Sequence, residues 1–179
     1  MHRRKLLDSL EIYSSLYEEE ADLIKRFNVF LEENVNCFDR QNRVGHVTGS
    51  AWLLCPDYQH VLLTHHKKLN RWLQLGGHSD GEPDTLSVAM REAREESGLL
   101  VKALENSIFD IDVHTIPQRK NEPKHLHFDV RFLLQALEKD FVVSTESNDL
   151  RWVKIADIPK YTVEESILRM RDKWLKRTT

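Results

Sequence analysis

The chain has 179 residues, 40% of them hydrophobic, and a formal net charge of −3 at pH 7. This length suits one domain with a full hydrophobic core, and the slightly acidic balance gives no support for nonspecific binding to nucleic acid. Two cysteines, Cys37 and Cys55, are too few for a disulfide framework. No apolar run approaches the roughly 18 residues of a membrane-spanning helix, and no signal-peptide block follows the basic N-terminus. We therefore expect a cytoplasmic globular protein whose partner is neither a nucleic acid nor a membrane.

The first part of the chain is predicted to be helical. Residues 3–34 carry large apolar side chains at helical spacing, and the acidic run at residues 18–20 predicts a break between two helices. We interpret residues 1–34 as an N-terminal helical extension and residues 35–179 as the main domain. The extension is expected to pack on that domain or on a second subunit, so a homodimer is one option.

Strands and a second pair of helices are predicted in the rest of the chain. A central helix begins near Thr85 and ends before Gly98, and a C-terminal helix covers residues 163–176. Polar loops are expected at residues 115–124 and 144–149. The predicted strands are residues 46–55, 59–65, 72–75, 101–114, 125–137 and 150–153. This arrangement predicts an α/β protein.

The central helix carries three carboxylates on one face, because Glu92, Glu95 and Glu96 stand at positions i, i+3 and i+4. Such like-charge neighbours cost roughly 0.2–0.5 kcal/mol each, and acidic groups in a last turn oppose the helix dipole. Carboxylate oxygens gathered in this way suit Mg²⁺ or Mn²⁺. The simpler alternative is a solvated acidic face on which Arg91 pairs with Glu95.

The segment from Gly77 to Leu99 resembles the signature of the Nudix hydrolases, Gly-x5-Glu-x7-Arg-Glu-U-x-Glu-Glu-x-Gly-U, where U is aliphatic. The stretch from Arg91 to Leu99 fits when Ala93 is accepted at the first U. One position departs from the signature. The loop glutamate would fall at Pro83, whereas the nearest glutamate is Glu82, one residue early.

The resemblance implies an αβα sandwich with a mixed β-sheet, preceded here by the helical extension. It also implies a divalent-metal-dependent hydrolase that cleaves a diphosphate linkage in a nucleoside diphosphate derivative, a small-molecule partner. The cofactor would be Mg²⁺ or Mn²⁺. Its ligands would be Glu92, Glu95, Glu96 and the carbonyl of Gly77.

Two further roles come from the same resemblance. Arg91 would pair with Glu82, or with Asp80 after a loop adjustment, and would thereby hold the glycine loop against the helix. The water-activating base is left open among Glu95 and Glu96 on the helix and Glu146 in a distant loop. Other distal options are Asp149 and Glu138, and the simpler alternative for Glu146 is a solvated loop carboxylate.

Polar side chains also alternate on the two long predicted strands. They are Asp112, His114, His125, His127 and Asp129. Alternation places each set on one strand face, and the two faces meet if the strands form a hairpin. His114, His125 and His127 would then bind a substrate phosphate or sugar, hold a second metal, or form a half-exposed face without a ligand. His78, next to Gly77, is expected near the diphosphate or in a loop-stabilising role.

The sequence leaves the substrate and two rival functions open. The group attached to the diphosphate is open among nucleoside diphosphate sugars, dinucleotides and modified nucleoside triphosphates. One rival is a nucleotide-binding or regulatory module with little turnover. The other is an isopentenyl diphosphate isomerase. Those enzymes have segments that are similar to Gly77–His78 and to the upstream Trp52-Leu53-Leu54 of this chain. Those isomerases use a cysteine at the position that Gly76 occupies here.

Overall fold

A computed structural model describes residues 2–118, 123–145 and 147–178 of the chain. The helices are α1 (Arg4–Leu16), α2 (Ala21–Glu33), α3 (Thr85–Ser97) and α4 (Glu165–Thr178). The strands are β1 (Gly45–Leu54), β2 (His60–His66), β3 (Arg71–Leu73), β4 (Leu75–His78), β5 (Val101–Ala103), β6 (Asp110–Ile116), β7 (His125–Ala136) and β8 (Ser147–Lys154). Short 3₁₀ turns occupy Glu18–Glu20 and Ile155–Lys160. Over the described ranges, no helix is long and apolar enough to cross a membrane.

The strands form one mixed sheet, as predicted, with helices packed around it. Its main order is β3-β2-β1-β7-β5, while β4 pairs with β1, β6 with β7 and β8 with β2. Strands β1 and β7 run parallel through ten residue pairs, from Gly45 opposite Leu126 to Leu54 opposite Gln135. The other strand pairs within the described residues are antiparallel. The two long strands of the centre are therefore brought together from distant parts of the chain.

The predicted strand over residues 101–114 is wrong as a single element. Strand β5 ends at Ala103, which lies opposite Leu134, and β6 begins at Asp110, which lies opposite Arg131. Two residues of β7 separate those positions, whereas six residues, 104–109, separate them on the other side. The extra residues form a loop outside the sheet. The backbone at each end of this loop is hydrogen-bonded to β7.

The predicted strand over residues 72–75 is also divided, at Gln74. The part before it, β3, pairs with β2, and the part after it, β4, pairs with β1. A switch between two partner strands requires a break in the pairing, and Gln74 lies at that break. The strand β8 begins at Ser147, three residues before its predicted start.

Helices α1 and α2 pack on this chain's own sheet. Phe30 of α2 is 4% exposed, and its ring stacks on that of Phe128 with centroids 3.8 Å apart and planes 7° apart. Leu10 and Tyr13 of α1 are buried in the same core cluster as the inner residues of β1 and β7. The N-terminal helices thus cover one face of the sheet, and a homodimer through them stays a prediction.

Helix α3 crosses β1 at close range because Gly49 lies beneath it. A Cβ atom at Gly49 would come within 2.9 Å of the Val88 Cβ and 2.7 Å of the Thr85 carbonyl oxygen. The helix starts after Asp84 and ends at Gly98, whose left-handed φ of 72° closes it as predicted. This contact sets the distance between the acidic helix and the sheet.

A buried ionic network joins the sheet to α4. The guanidinium of Arg131, 2% exposed, donates from Nε to Asp129 at 2.7 Å and from Nη1 to Asp110 at 3.1 Å. From α4, Arg169 and Lys173 donate to the same Asp110 at 2.9 and 2.7 Å. Buried charges are tolerated when they are paired in this way. The network therefore fixes the strand that carries Asp129.

Shortening Phe30 tests whether the N-terminal helices are part of the core. We expect Phe30→Ala to lower the free energy of unfolding by about 3–5 kcal/mol, because it leaves a cavity beside Phe128. Urea denaturation measures this difference. Val29→Ala, on the same helix and 42% exposed, should change stability by less than about 0.5 kcal/mol. Equal effects of the two variants would contradict the described packing.

Removing the central cation tests the buried ionic network. We expect Arg131→Met to destabilise the protein by about 3–5 kcal/mol, because it leaves the buried Asp129 without its cation, whereas Asp110 keeps Arg169 and Lys173. The matched control is Arg151→Met, since the half-exposed Arg151 pairs with Asp149 at the surface and such pairs contribute at most about 1 kcal/mol. A neutral Arg131→Met variant in thermal and urea unfolding would refute the structural role of the network.

Candidate active site

A cleft of about 620 Å³ collects residues from α3 and from strands β1, β4, β6 and β7. Nine residues that the sequence singled out lie in its wall: Gly77, His78, Asp80, Arg91, Glu92, Glu95, His114, His127 and Asp129. The acidic helix and the histidine-bearing hairpin were predicted separately. The structure places both in the lining of the same cleft.

The glycine pair of β4 lies directly against the glutamates of α3. A Cβ atom at Gly77 would come within 2.5 Å of Glu92 Cδ and 2.9 Å of its Oε1. The Gly76 N–H donates a hydrogen bond of 3.1 Å to Glu96 Oε1. Glu95 lies between Glu92 and Glu96 in sequence, and its side chain is 62% exposed. Two carboxylates are thus held at the glycine backbone, and the third borders the open cleft.

Arg91 holds the glycine strand to the helix, but through a different partner from the one predicted. Its guanidinium donates to the His78 carbonyl at 2.7 Å and to Glu92 Oε1 at 2.8 Å. The expected pair with Glu82 does not form, since the exposed Glu82 carboxylate accepts the Asp84 N–H at 2.9 Å. Asp80 pairs with Arg40 instead.

The local backbone explains this correction. Asp80 and Gly81 both have positive φ, 51° and 90°, and the Glu82 N–H bonds back to the Ser79 carbonyl. This tight turn places Glu82 at the start of α3, where the last loop residues approach the helix N-terminus. Because the loop glutamate stands one residue early, it does not reach the Arg91 guanidinium. The His78 carbonyl accepts that hydrogen bond from Arg91 instead.

The distal candidates for the base do not join this group in the described residues. Asp149 lies on β8 and pairs with Arg151 at 2.9 Å, while Glu138 is exposed just after β7. Neither is among the described residues that line the cleft. Glu146 lies outside the described residues, so its role stays a prediction.

The predicted hairpin between β6 and β7 is confirmed. His114 lies opposite His127, and Asp112 lies opposite Asp129. The His127 ring has four imidazole neighbours, with ring centroids 4.7 to 5.4 Å away. These neighbours are His46, His78, His114 and His125.

Burial makes two of these imidazoles weak bases. Desolvation, followed by the repulsion of neighbouring imidazoles, lowers the pKa of His127 to about 2 and that of His46 to about 4. Among the described residues, neither His46 nitrogen nor His127 Nε2 has a hydrogen-bond partner. The backbone of Asn42 acts in the opposite direction and raises the pKa of His46. An unsatisfied buried polar group costs about 1–3 kcal/mol, so this cluster requires an explanation.

Sequence reasoning missed His46 and the polar face of β1. His46, Thr48 and Ser50 alternate, and the two hydroxyls donate to the buried Asp129 at 2.8 and 2.7 Å. The alternation of these three polar residues is visible in the sequence. Their contact with Asp129 on β7 is not. Trp52 is fully buried in the core and does not line the cleft.

Comparison with known proteins identifies the family. The NUDIX domain model matches residues 45–173, most of the chain. A protein of Lactococcus lactis subsp. cremoris, named as a probable DHNTP pyrophosphohydrolase, is 28% identical over 125 residues, which are 69% of this chain and 74% of that protein.

Solved structures share the fold. A NUDIX-family hydrolase from Clostridium perfringens superposes with a TM-score of 0.56 at 24% identity, over 74% of this chain and 97% of that one. The NUDIX domain of Shewanella oneidensis NrtR, solved with ADP ribose, gives a TM-score of 0.52 at 16% identity, over 83% and 98% of the two chains. With the matched family model and the signature segment in place at the cleft, the chain belongs to the Nudix hydrolase family.

Proposed function

We propose that this Nudix hydrolase cleaves a diphosphate linkage in a nucleoside diphosphate derivative, with Mg²⁺ or Mn²⁺ as its cofactor. The observation that carries the proposal is the packing of Glu92 and Glu96 against the backbone of Gly76 and Gly77, the glycine pair that lines the cleft. This geometry and the family support the proposal.

The donor set fits such an ion. Glu92, Glu96 and the Gly77 carbonyl would hold it, and all are oxygen donors, which Mg²⁺ and Mn²⁺ prefer. Glu95 would stay outside this ligand set and serve as the base. The missing side chain of Gly77 leaves the space that the Glu92 carboxylate occupies. When bound, a divalent ion neutralises charge on the diphosphate and lowers the pKa of an attacking water.

The remaining roles belong to the protein's own side chains. Arg91 positions Glu92 and the His78 carbonyl through its two hydrogen bonds. We assign the water-activating role on the helix to Glu95 over Glu96. One oxygen of Glu96 already accepts the Gly76 N–H, whereas the Glu95 carboxylate is exposed at the cleft. Glu146 is retained as the distal alternative for the base.

The substrate would lie between the acidic helix and the histidine face. His78 and His114 line the cleft, and the Asp112 carboxylate lies 3.1 Å from His114 Nδ1. Because an ionised carboxylate only accepts, this contact assigns the proton to Nδ1 and fixes the ring. Lys68 adds a positive charge to the same wall. These groups suit phosphate oxygens, and the name of the Lactococcus relative adds a pteridine triphosphate to the candidate substrates.

The isomerase alternative is disfavoured at Gly76. A Cβ atom there would come within 2.6 Å of the Ser50 Cβ and 2.7 Å of its Cα. A cysteine side chain has no room at that position without a displacement of β1. The nucleotide-binding alternative, with little turnover, is an outcome of the following test.

A phosphate-release screen tests the proposed activity. It would cover nucleoside diphosphate sugars, dinucleotides, nucleoside triphosphates and dihydroneopterin triphosphate, with Mg²⁺ or Mn²⁺ and a coupled phosphatase. We expect metal-dependent cleavage that Glu92→Gln and Glu96→Gln each lower by more than about 100-fold, because even outer-shell changes at metal sites cost 10–100-fold. Glu33→Gln, an exposed change on α2, is the matched control and should keep full activity.

Two results of the screen would refute the hydrolase. One is cleavage that persists in both glutamine variants at saturating Mg²⁺. The other is no cleavage across the panel while nucleotides still bind, which would favour the binding module. In an active protein, Glu95→Gln and Glu146→Gln separate the two candidate bases: the correct variant loses turnover but retains metal affinity.

Filling the space at Gly77 gives a second test. We expect Gly77→Ala to lower kcat by about tenfold or more with little loss of stability, because its methyl group displaces only the flexible end of Glu92. Combining it with Glu92→Gln should add little to the loss from Glu92→Gln alone, since both act on one carboxylate. Additive losses would show that Gly77 acts elsewhere.

A further inference from the structure

We propose that His46, His125 and His127 bind a transition-metal ion of the Zn²⁺ class, at a site distinct from the glutamates of α3. This inference does not depend on the proposed hydrolase activity, because it uses different residues, different donor atoms and a different class of metal.

The three imidazoles already converge. Each offers one ring nitrogen, and the three nitrogens lie within 4.8 Å of one another. Tetrahedral Zn²⁺ with nitrogens at about 2.0–2.1 Å needs them roughly 3.3 Å apart. The rings must therefore approach one another by up to about 1.5 Å to hold such an ion.

The sheet fixes the backbone positions of the three proposed ligands. His125 and His127 alternate on β7 and therefore share a face, and His46 lies directly opposite His127 in the parallel pairing of β1 with β7. Two ligands on one strand and a third on its neighbour form a site that is positioned by rigid elements.

A contact outside the cluster sets the tautomer of His125. Its Nδ1 lies 2.9 Å from the carbonyl oxygen of Pro123. A carbonyl only accepts a hydrogen bond, so Nδ1 carries the proton and Nε2 keeps the lone pair that binds a metal. Histidine ligands of metals are commonly oriented by such a contact.

The buried nitrogens of the cluster point to a ligand. His46 is 1% exposed, and neither of its ring nitrogens has a hydrogen-bond partner in the described part of the chain. His127 Nε2 is equally without one there. Buried polar groups in native proteins nearly always have a partner. A shared metal ion satisfies these two rings together and requires no change of fold.

The donor set selects the class of metal. Neutral imidazoles suit Zn²⁺, Co²⁺, Ni²⁺ and Cu²⁺, whereas Mg²⁺ prefers oxygen. Three protein ligands leave a fourth position, which is the arrangement of catalytic zinc sites. His127 lines the cleft, so the ion would border the space in which the proposed substrate binds. The His78 ring, which also lines the cleft, lies 4.9 Å from that of His46.

Metal titration of the full-length, metal-stripped protein tests the site. We expect one equivalent of Zn²⁺ to shift the ¹⁵N resonances of the ligating ring nitrogens of His46, His125 and His127 in long-range ¹H–¹⁵N spectra. His60, which pairs with Asp57 away from the cluster, should not shift. Co²⁺ should give the intense visible band of a four-coordinate nitrogen site. Zn²⁺ binding that leaves the three rings unshifted would overturn the proposal, as would no stoichiometric binding.

Variants separate this site from the glutamates. His127→Gln should weaken Zn²⁺ binding at least about 100-fold, whereas His60→Gln, its matched control, and Glu96→Gln should keep it. Circular dichroism checks that each variant is folded. If Glu96→Gln abolishes Zn²⁺ binding while His127→Gln retains it, the ion is bound by the glutamates and the histidine site is refuted. If the proposed hydrolase activity fails while the ¹⁵N shifts appear, the histidine site stands on its own.

Discussion

The parallel pairing of β1 with β7 is the constraint on which the rest of the molecule depends. It joins segments about 80 residues apart in ten consecutive pairs, and it fixes which side chains share a face of the sheet. In that register Thr48 lies opposite Asp129, and His46 lies opposite His127. A shift of one residue in the register of β1 against β7 would move these groups to opposite faces of the sheet. The cleft and its histidine cluster would then not form.

The structure supports this polar face by satisfying its central carboxylate completely. Asp129 accepts from Thr48, Ser50, Gln74 and Arg131, so a buried charge becomes a fixed point between the cleft and the core. The same sheet face changes character along its length. It carries imidazoles at one end, carboxylates in the middle and the buried guanidinium of Arg131, covered by α4, at the other.

Two kinds of metal donor therefore meet at one cleft. The helix α3 brings carboxylates against the glycine strand, and the sheet brings neutral imidazoles. Hard ions such as Mg²⁺ prefer the first set and Zn²⁺ the second, so the two proposed sites need not compete. In this proposal each metal site has its own ligands, the glutamates for one and the histidines for the other.

Local features were predictable from the sequence, and long-range ones were not. Helix α3, its end at Gly98 and its acidic face follow from spacing within 13 residues. The Arg91–Glu82 pair was wrong because the positive φ angles of Asp80 and Gly81 direct the loop elsewhere. The role of Arg131 depends on partners from β6 and α4, and that of His46 on its pairing with β7. Such contacts are set by strand register and helix packing, which a single sequence leaves open.

Anomalous diffraction from a crystal grown with Mn²⁺ tests the central claim most directly. The account predicts a manganese peak between the carboxylates of Glu92 and Glu96, within ligand distance of the Gly77 carbonyl, and its loss in Glu96→Gln. A peak elsewhere with none at these glutamates, under saturating Mn²⁺, would contradict the assignment of α3 as the metal-binding helix.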